Sequence, residues 1–303
     1  MIADFADLCT SVYVLTDEAY PAVAAPYDTR PGPHAAFTDS ALITLTIAAE
    51  LLGLAAETRF LAYVRRTHAA LCPLRPERSR DKRRRRQLVA VTNRIRGAIM
   101  ARRWRVLEAE GRDLAVIDSV PVPVVGDQHA AGDHRWWGEA DCGRIPSKQQ
   151  HRYGFTLHLL IARCGLLRDF ALAPANHSDG ALTAQLLGDK AGLTVLGDKG
   201  SISGPLQEAL STRNTRTLLT PKRRNQKVPL PEALTQAINH SRQIIATVNS
   251  QLVGQRNLQR NRAKSVFGLA ARVQAKLAAH TVGLYLNHLL GRPLRALMDL
   301  AVI

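Results

Sequence analysis

Apolar positions recur at helical spacing through the first third of the chain, gather into short strand-like runs between residues 114 and 220, and return to helical spacing from Pro231 to about Leu290. Residues 1–37 read as a weak helix and a connector through Pro21, Pro26, Pro31, Gly32 and Pro33. Thr38-Asp39-Ser40 is a good N-cap for the run Ala41 to Leu52, Gly53 is a natural stop, and Ala55 to His68 reads as a second helix. Leu88, Val91, Ile95, Ile99 and Val106 share one face of a long helix. A first strand follows from Leu114 to Val125, with Pro121 and Pro123 marking its second half as an edge, bulge or exit. Tyr153 to Arg163 and Leu166 to Ala173 form a hairpin about Cys164-Gly165. Asn176-His177-Ser178-Asp179 opens a helix through Leu187, with Asp179 able to cap it. A strand over Leu193 to Gly197, a short helix over Gly204 to Leu210 and a strand over Thr217 to Thr220 complete the mixed region, and the final helical stretch is interrupted near Gly254 to Lys264. The fold class is α/β, with a helical, basic region over 1–110 and a mixed-sheet domain carrying C-terminal helices over 111–303.

Charge changes the picture. The 303 residues include 41 Lys and Arg against 25 Asp and Glu, a net +16, which favours a polyanion as partner. Arg75 to Arg86 concentrates it: Arg75, Arg78, Arg80, Lys82, Arg83, Arg84, Arg85 and Arg86 surround only Glu77 and Asp81. Beside nucleic acid such a run contacts phosphates without reading sequence; elsewhere it is a solvated helix start or linker. The two helices before it could form a helix-turn-helix presenting Arg59, Arg65 and Arg66, or a simple packing hairpin. Cys9, Cys72, Cys142 and Cys164 lack paired spacing, as expected of reduced thiols. The acidic N-terminus has no leader-like basic segment, and no uncharged run reaches membrane-spanning length, so a cytoplasmic protein without membrane contact is expected.

Residues 126–152 are polar and Gly-rich, the mark of a functional loop or of disorder. His129, His134, Asp141 and Cys142 have no familiar zinc spacing. The Trp136-Trp137 pair beside Arg135 suits stacking on DNA or burial in a small satellite core.

Two apolar runs each deliver one aspartate at a polar end, Asp118 after Leu114-Ala-Val-Ile and Asp198 after Leu193-Thr-Val-Leu-Gly. A carboxylate at a strand end is positioned rigidly enough for a divalent metal, although a lone one equally often caps a turn. Strand with Asp, hairpin, helix, strand with Asp, strand and long helix is the order of a ribonuclease-H-like fold, in which the first and fourth strands are neighbours.

The segments Ile117-Asp-Ser-Val-Pro-Val-Pro-Val124, Tyr153-Gly-Phe-Thr-Leu-His-Leu159, Gly197-Asp-Lys-Gly-Ser-Ile202 and Asn261-Arg-Ala-Lys-Ser-Val-Phe-Gly268 resemble bacterial DDE transposases, most closely the insertion-sequence-982 family. The resemblance implies two-metal phosphodiester chemistry with two Mg²⁺ or Mn²⁺ ions held by two Asp and one Glu, Asp118 taking the first position and Asp198 the second. Arg242-Gln-Ile-Ile-Ala246-Thr-Val-Asn-Ser-Gln-Leu252 resembles the family's Arg-x-x-x-Glu stretch, with Ala246 in place of the Glu. Asn239 and Val253 also stand where relatives can carry Tyr and Lys. The resemblance further implies binding of double-stranded DNA at terminal inverted repeats and at a target, cleavage and strand transfer, a homodimer in the DNA complex and a nucleoid location in bacteria. The chain as given is then expected to be cleavage-deficient, and one loss in an otherwise intact helix suits deliberate replacement better than decay. Expected DNA contacts are the Arg75–Arg86 cations, Trp136, Trp137, Lys199, Arg242, Arg256, Arg260, Arg262 and Lys264. The rival readings are a nuclease of the same fold and a non-catalytic, transposase-derived DNA-binding protein.

Overall fold

A computed structural model describes residues 2, 4–24, 35–54, 56–74, 77–107, 114–125, 134–136, 138–145, 150–188, 190, 192–197, 217–219, 232–298 and 300. The chain divides into a sheet unit, residues 104–250, and a helical unit made of residues 1–103 and 251–303.

In the sheet unit β1 (Leu114–Val125) is the central strand. The long β3 (Gln150–Ala162) runs antiparallel to it from Ala115↔Ala162 to Val125↔Tyr153. On its other side β5 (Thr194–Gly197) is parallel, from Leu114↔Thr194 to Ile117↔Gly197, and β6 (Thr217–Leu219) is parallel to β5. The outer edge of β3 is shared end to end by β2 (Asp141–Ile145) and β4 (Leu167–Pro174). This mixed sheet is consistent with the ribonuclease-H-like expectation, since the first strand lies beside the strand that precedes Asp198. Beyond Ile117, β1 has a described partner only in β3, and its register shifts between Pro123 and Val125. Edge and bulge are where prolines are tolerated in a strand. Gly154 lies opposite Pro123 with φ +156, and a Cβ there would sit 2.6 Å from the Val122 carbonyl oxygen, so only glycine fits the bulge.

Residues 126–152 are not one long loop. They hold a 3-10 turn (His134–Trp136), β2 and the start of β3. The five residues of β2, Asp-Cys-Gly-Arg-Ile, carry no apolar alternation, because an edge strand is held by backbone pairing and needs no buried face of its own. The α6 helix (Asp179–Leu187) is capped by Ser178, whose Oγ accepts from Ala181 N at 3.4 Å; Asp179 is instead its first helical residue. The expected helix over Gly204–Leu210 lies outside the described residues.

Alternation along the strands creates two faces. Ala115, Ile117, Leu160 and Val195 pack on one face against Leu186 and Leu187 of α6. Val116 and Leu196 pack on the other against Ile238 and Ile245 of α7 (Glu232–Ser250).

The helical unit comprises α1 (Phe5–Ala24), α2 (Asp39–Leu51), α3 (Glu57–Thr67), α4 (Arg78–Gln87), most of α5 (Val89–Leu107) and α8 (Val266–Leu289). Thr38 caps α2, accepting from Ala41 N at 3.2 Å, and Gly53 follows it at φ +67. The residues after Ser250 group by contacts with residues 1–103. The reason is hydrophobicity: α8 is buried at every position from Val273 to Leu284, so it needs cover all round, and α2 and α4 pack on it. α4 is almost entirely cationic, yet its first-turn Asp81 is fully buried and lies 2.9 Å from Arg85 in an i,i+4 pair.

His280 at the centre of α8 is fully buried, with Nε2 donating to Gln251 Oε1 at 3.1 Å and Nδ1 lacking a hydrogen-bond partner. Burial, aided by the Arg256 charge, pushes its pKa down to about 3. The folded state holds His280 neutral while an unfolded chain protonates it near pH 6.5, so its contribution is intact above that pH and is lost as pH falls toward 3. Each unit costs about 1.4 kcal/mol. Urea unfolding between pH 7 and pH 4 is expected to show this slope, and His280→Gln to flatten it. An unchanged slope in the variant would assign the acid sensitivity elsewhere.

Candidate active site

Asp118 lies two residues after Val116 on the face of β1 covered by α7, half-buried between Val116 and Val120 and opposite Leu159 in register. The strand holds its backbone while the carboxylate projects toward the helix. Asn249, near the C-terminus of α7, donates its Nδ2 to Asp118 Oδ2 at 2.6 Å, while its Oδ1 is buried without a hydrogen-bond partner. Sequence reasoning missed Asn249. The signal was available, because Asn249 is three residues after Ala246 and neighbours it on the helix surface.

Ile238 and Ile245 seat α7 on the sheet, and Ser241, Ile244 and Val248 of the same helix are buried. Arg242, Ala246 and Asn249 line the stripe beside that seam, Arg242 and Ala246 exposed and Asn249 half-buried. Ala246 thus stands on the helix that reaches Asp118, one turn before the residue that touches it. Asp198 and Lys199 lie outside the described residues; Gly197, which precedes Asp198, is the register partner of Ile117, which precedes Asp118.

The donor set fits a divalent cation only in part. Asp118 offers a hard carboxylate and Asn249 a carboxamide oxygen, but Ala246 offers nothing, and the described residues contain no group of three His, Cys, Asp or Glu able to hold an ion. A carboxylate oxygen carries two lone pairs, so Asp118 Oδ2 can keep the Asn249 hydrogen bond and still ligate a metal.

A family model described as Transposase DDE domain matches residues 108–266, just over half of the chain, and spans Asp118, Asp198 and Ala246. The chain belongs to the Transposase DDE domain family. A search of curated proteins found no match. A DDE transposase domain implies a polynucleotidyl-transferase type of enzyme, and such domains generally use divalent metal ions. The sheet unit holds Asp118, and no described helix is long and apolar enough to cross a membrane.

The expected DNA contacts of this DDE protein separate by burial. Trp136 is fully buried, edge-on to Phe155 at 5.9 Å, with its carbonyl accepting from Tyr153 Oη at 3.3 Å. It is the satellite core and offers no ring to a base. Arg256 is also withdrawn: it is 2% exposed, its Nη1 donates to the Glu50 carbonyl, and burial lowers its pKa to about 10 against the pull of Glu50. A guanidinium enclosed by protein cannot reach a phosphate. Arg84 is spent on a buried ion pair with Asp39, and Arg85 pairs with Asp81. Arg78, Arg80, Arg83, Arg86, Arg242, Arg260, Arg262 and Lys264 are exposed and Lys82 half-exposed. Arg75 and Trp137 lie outside the described residues.

On the opposite face of the sheet, Arg152 and His158 of β3 meet Asp179 of α6, with His158 Nε2 3.7 Å from Asp179 Oδ1. Burial lowers the His158 pKa, Asp179 raises it, and Arg152 and His177 lower it further. His158 neighbours Leu159, the partner of Asp118, and so points away from the DDE face.

Proposed function

We propose that the chain is a transposase of the insertion-sequence-982 type, built to bind terminal inverted repeats and to cut and rejoin DNA with two Mg²⁺ or Mn²⁺ ions, and left cleavage-deficient by Ala246. The observation that carries this reading is the seating of Asp118: a central-strand carboxylate beside the strand that leads to Asp198, facing the helix that carries position 246. Asp118 and Asp198 would hold the ions. When bound, the ions activate the attacking oxygen and stabilise the leaving one. Arg242, one turn before Ala246, is placed to hold a phosphate of the scissile strand. A homodimer in the DNA complex, acting in the bacterial cytoplasm, belongs to the same reading. Ala246 also favours a second reading, a transposase-derived DNA-binding protein that needs no metal.

The test of the carboxylate pairing is a crystal soaked in Mn²⁺. Anomalous density is expected between the Asp118 and Asp198 carboxylates, weaker than a three-carboxylate site would give. Carboxylates more than ~10 Å apart would remove the two-metal assignment.

A further inference from the structure

We propose that a half-open cavity of about 640 Å³ in the helical unit is a cleft for the phosphodiester backbone of a single DNA strand. The idea rests on the DNA-processing reading above and assigns a second site, in a different unit from Asp118. The walls come from the end of α2, from α3 and α4, from the 257–264 segment and from the first turns of α8. Cations of the arginine run and those after position 256, far apart in the sequence, therefore line one cavity.

Its lining holds five times as many Lys and Arg side chains as carboxylates, the latter being Glu50 and Glu57. Both carboxylates are engaged: Glu50 with Lys276 at 2.8 Å, Glu57 with Lys82 at 3.6 Å and Arg78 at 3.8 Å. Arg59, Arg86, Arg260, Arg262 and Lys264 have no carboxylate partner among the described residues, and all five are exposed. Arg86 adds to the imbalance, because a Cβ on Gly268 would lie only 3.6 Å from its Nη2. That places a guanidinium over the first turn of α8, where the helix dipole is itself positive. Such an arrangement opposes itself until an anion enters. Arg262 is held in the cavity wall at φ +50, and Asn257 takes φ +51, left-handed conformations that a non-glycine residue adopts at a cost and that cluster at ligand clamps.

Size and chemistry select the occupant. The volume is that of a cleft enclosing a small ligand or a few linked groups, too small for a duplex. Among the described residues of the lining the only aromatic, Phe60, is 1% exposed, so it offers no ring for base stacking and recognition falls to the phosphates.

The test uses the full chain in EDTA, so that the result does not depend on the carboxylate centre, and a fluorescent eight-nucleotide single strand read by anisotropy. Arg260→Ala with Lys264→Ala, both at exposed positions, is expected to weaken binding at least tenfold and to lower the salt slope by about 1.4, near 0.7 for each phosphate contact on a single strand. Arg163→Ala, an exposed cation of the sheet unit, is expected to leave both unchanged. In the unsubstituted protein, the bound strand should shield Lys264 from acetylation while Lys190 labelling stays constant. Equal losses in the Arg163 variant would reduce the effect to general charge and overturn the cleft. Unshielded Lys264 would do so too. Competition by inorganic pyrophosphate as strong as by the strand, phosphate for phosphate, would make it a free-anion site and overturn the strand assignment. An inactive Ala246→Glu protein with intact strand binding would strike only the catalytic reading.

Discussion

Replacing Ala246 with glutamate is expected to raise Mg²⁺- or Mn²⁺-dependent cleavage and strand transfer by several orders of magnitude. A methyl group offers neither charge nor oxygen, whereas a carboxylate on this turn of α7 would join the face that Asn249 already brings to 2.6 Å from Asp118. The effect is large because activation of the nucleophile and stabilisation of the leaving oxygen depend on the same ions and are lost together, each worth several kcal/mol. Adding Asp118→Ala or Asp198→Ala to the glutamate variant should return the rate to background. The measurement is product formation from a labelled terminal-repeat duplex, with repeat binding followed in parallel. A glutamate protein that binds repeats and remains as inactive as the present chain would show that position 246 is not the third catalytic position.

The glutamate would enter a site in which Asp118 is already held. Asn249 donates to Asp118 Oδ2 at 2.6 Å. A carboxylate has lone pairs for both a hydrogen bond and a metal, so the amide can stay in place when the third carboxylate is restored. Asn249 is thus a positioning residue for Asp118 in the present chain, orienting the carboxylate when position 246 cannot.

The strand bearing Asp118 was legible from sequence, with both ends correct, because Leu114-Ala-Val-Ile is an apolar run and the prolines announce an edge. The hairpin and α7 were legible for the same reason, strong periodicity over many residues. β2 was not, since an edge strand with Asp, Gly and Arg is defined by its partner β3 and not by its own pattern. The assignment of α8 to the helical unit was equally hidden. Periodicity marks a helix but does not say which element covers it, and α8 is buried on every side, with Gln274, Lys276 and His280 among its buried residues. Charge misled in two places. Arg256 and Arg84 belong to basic clusters in the sequence but make buried contacts with Glu50 and Asp39, residues distant along the chain. Asn249 carried no charge to draw notice, and only the docking of α7 on β1 reveals it.

That division of the basic residues predicts that the arginine run will split into two phenotypes. Neutralising Arg80 and Arg83 together, both exposed and outside the cleft, is expected to weaken binding to a terminal-repeat duplex and to lower the salt slope by about 1.8, near 0.9 for each phosphate contact on duplex DNA, without lowering stability. Arg84→Ala should do the opposite. Its guanidinium pairs with Asp39, whose side chain is 2% exposed and also accepts from the Tyr20 hydroxyl at 2.8 Å. A buried carboxylate left without its cation costs about 3–5 kcal/mol, so Arg84→Ala should unfold at much lower urea concentration while the folded fraction keeps the parent salt slope. Asp39→Asn with Arg84→Ala should recover part of that stability, because the stranded charge is then gone. An unchanged slope in the double variant would take these exposed cations out of the DNA interface, and a double variant as unstable as Arg84→Ala would show that they, too, serve the fold.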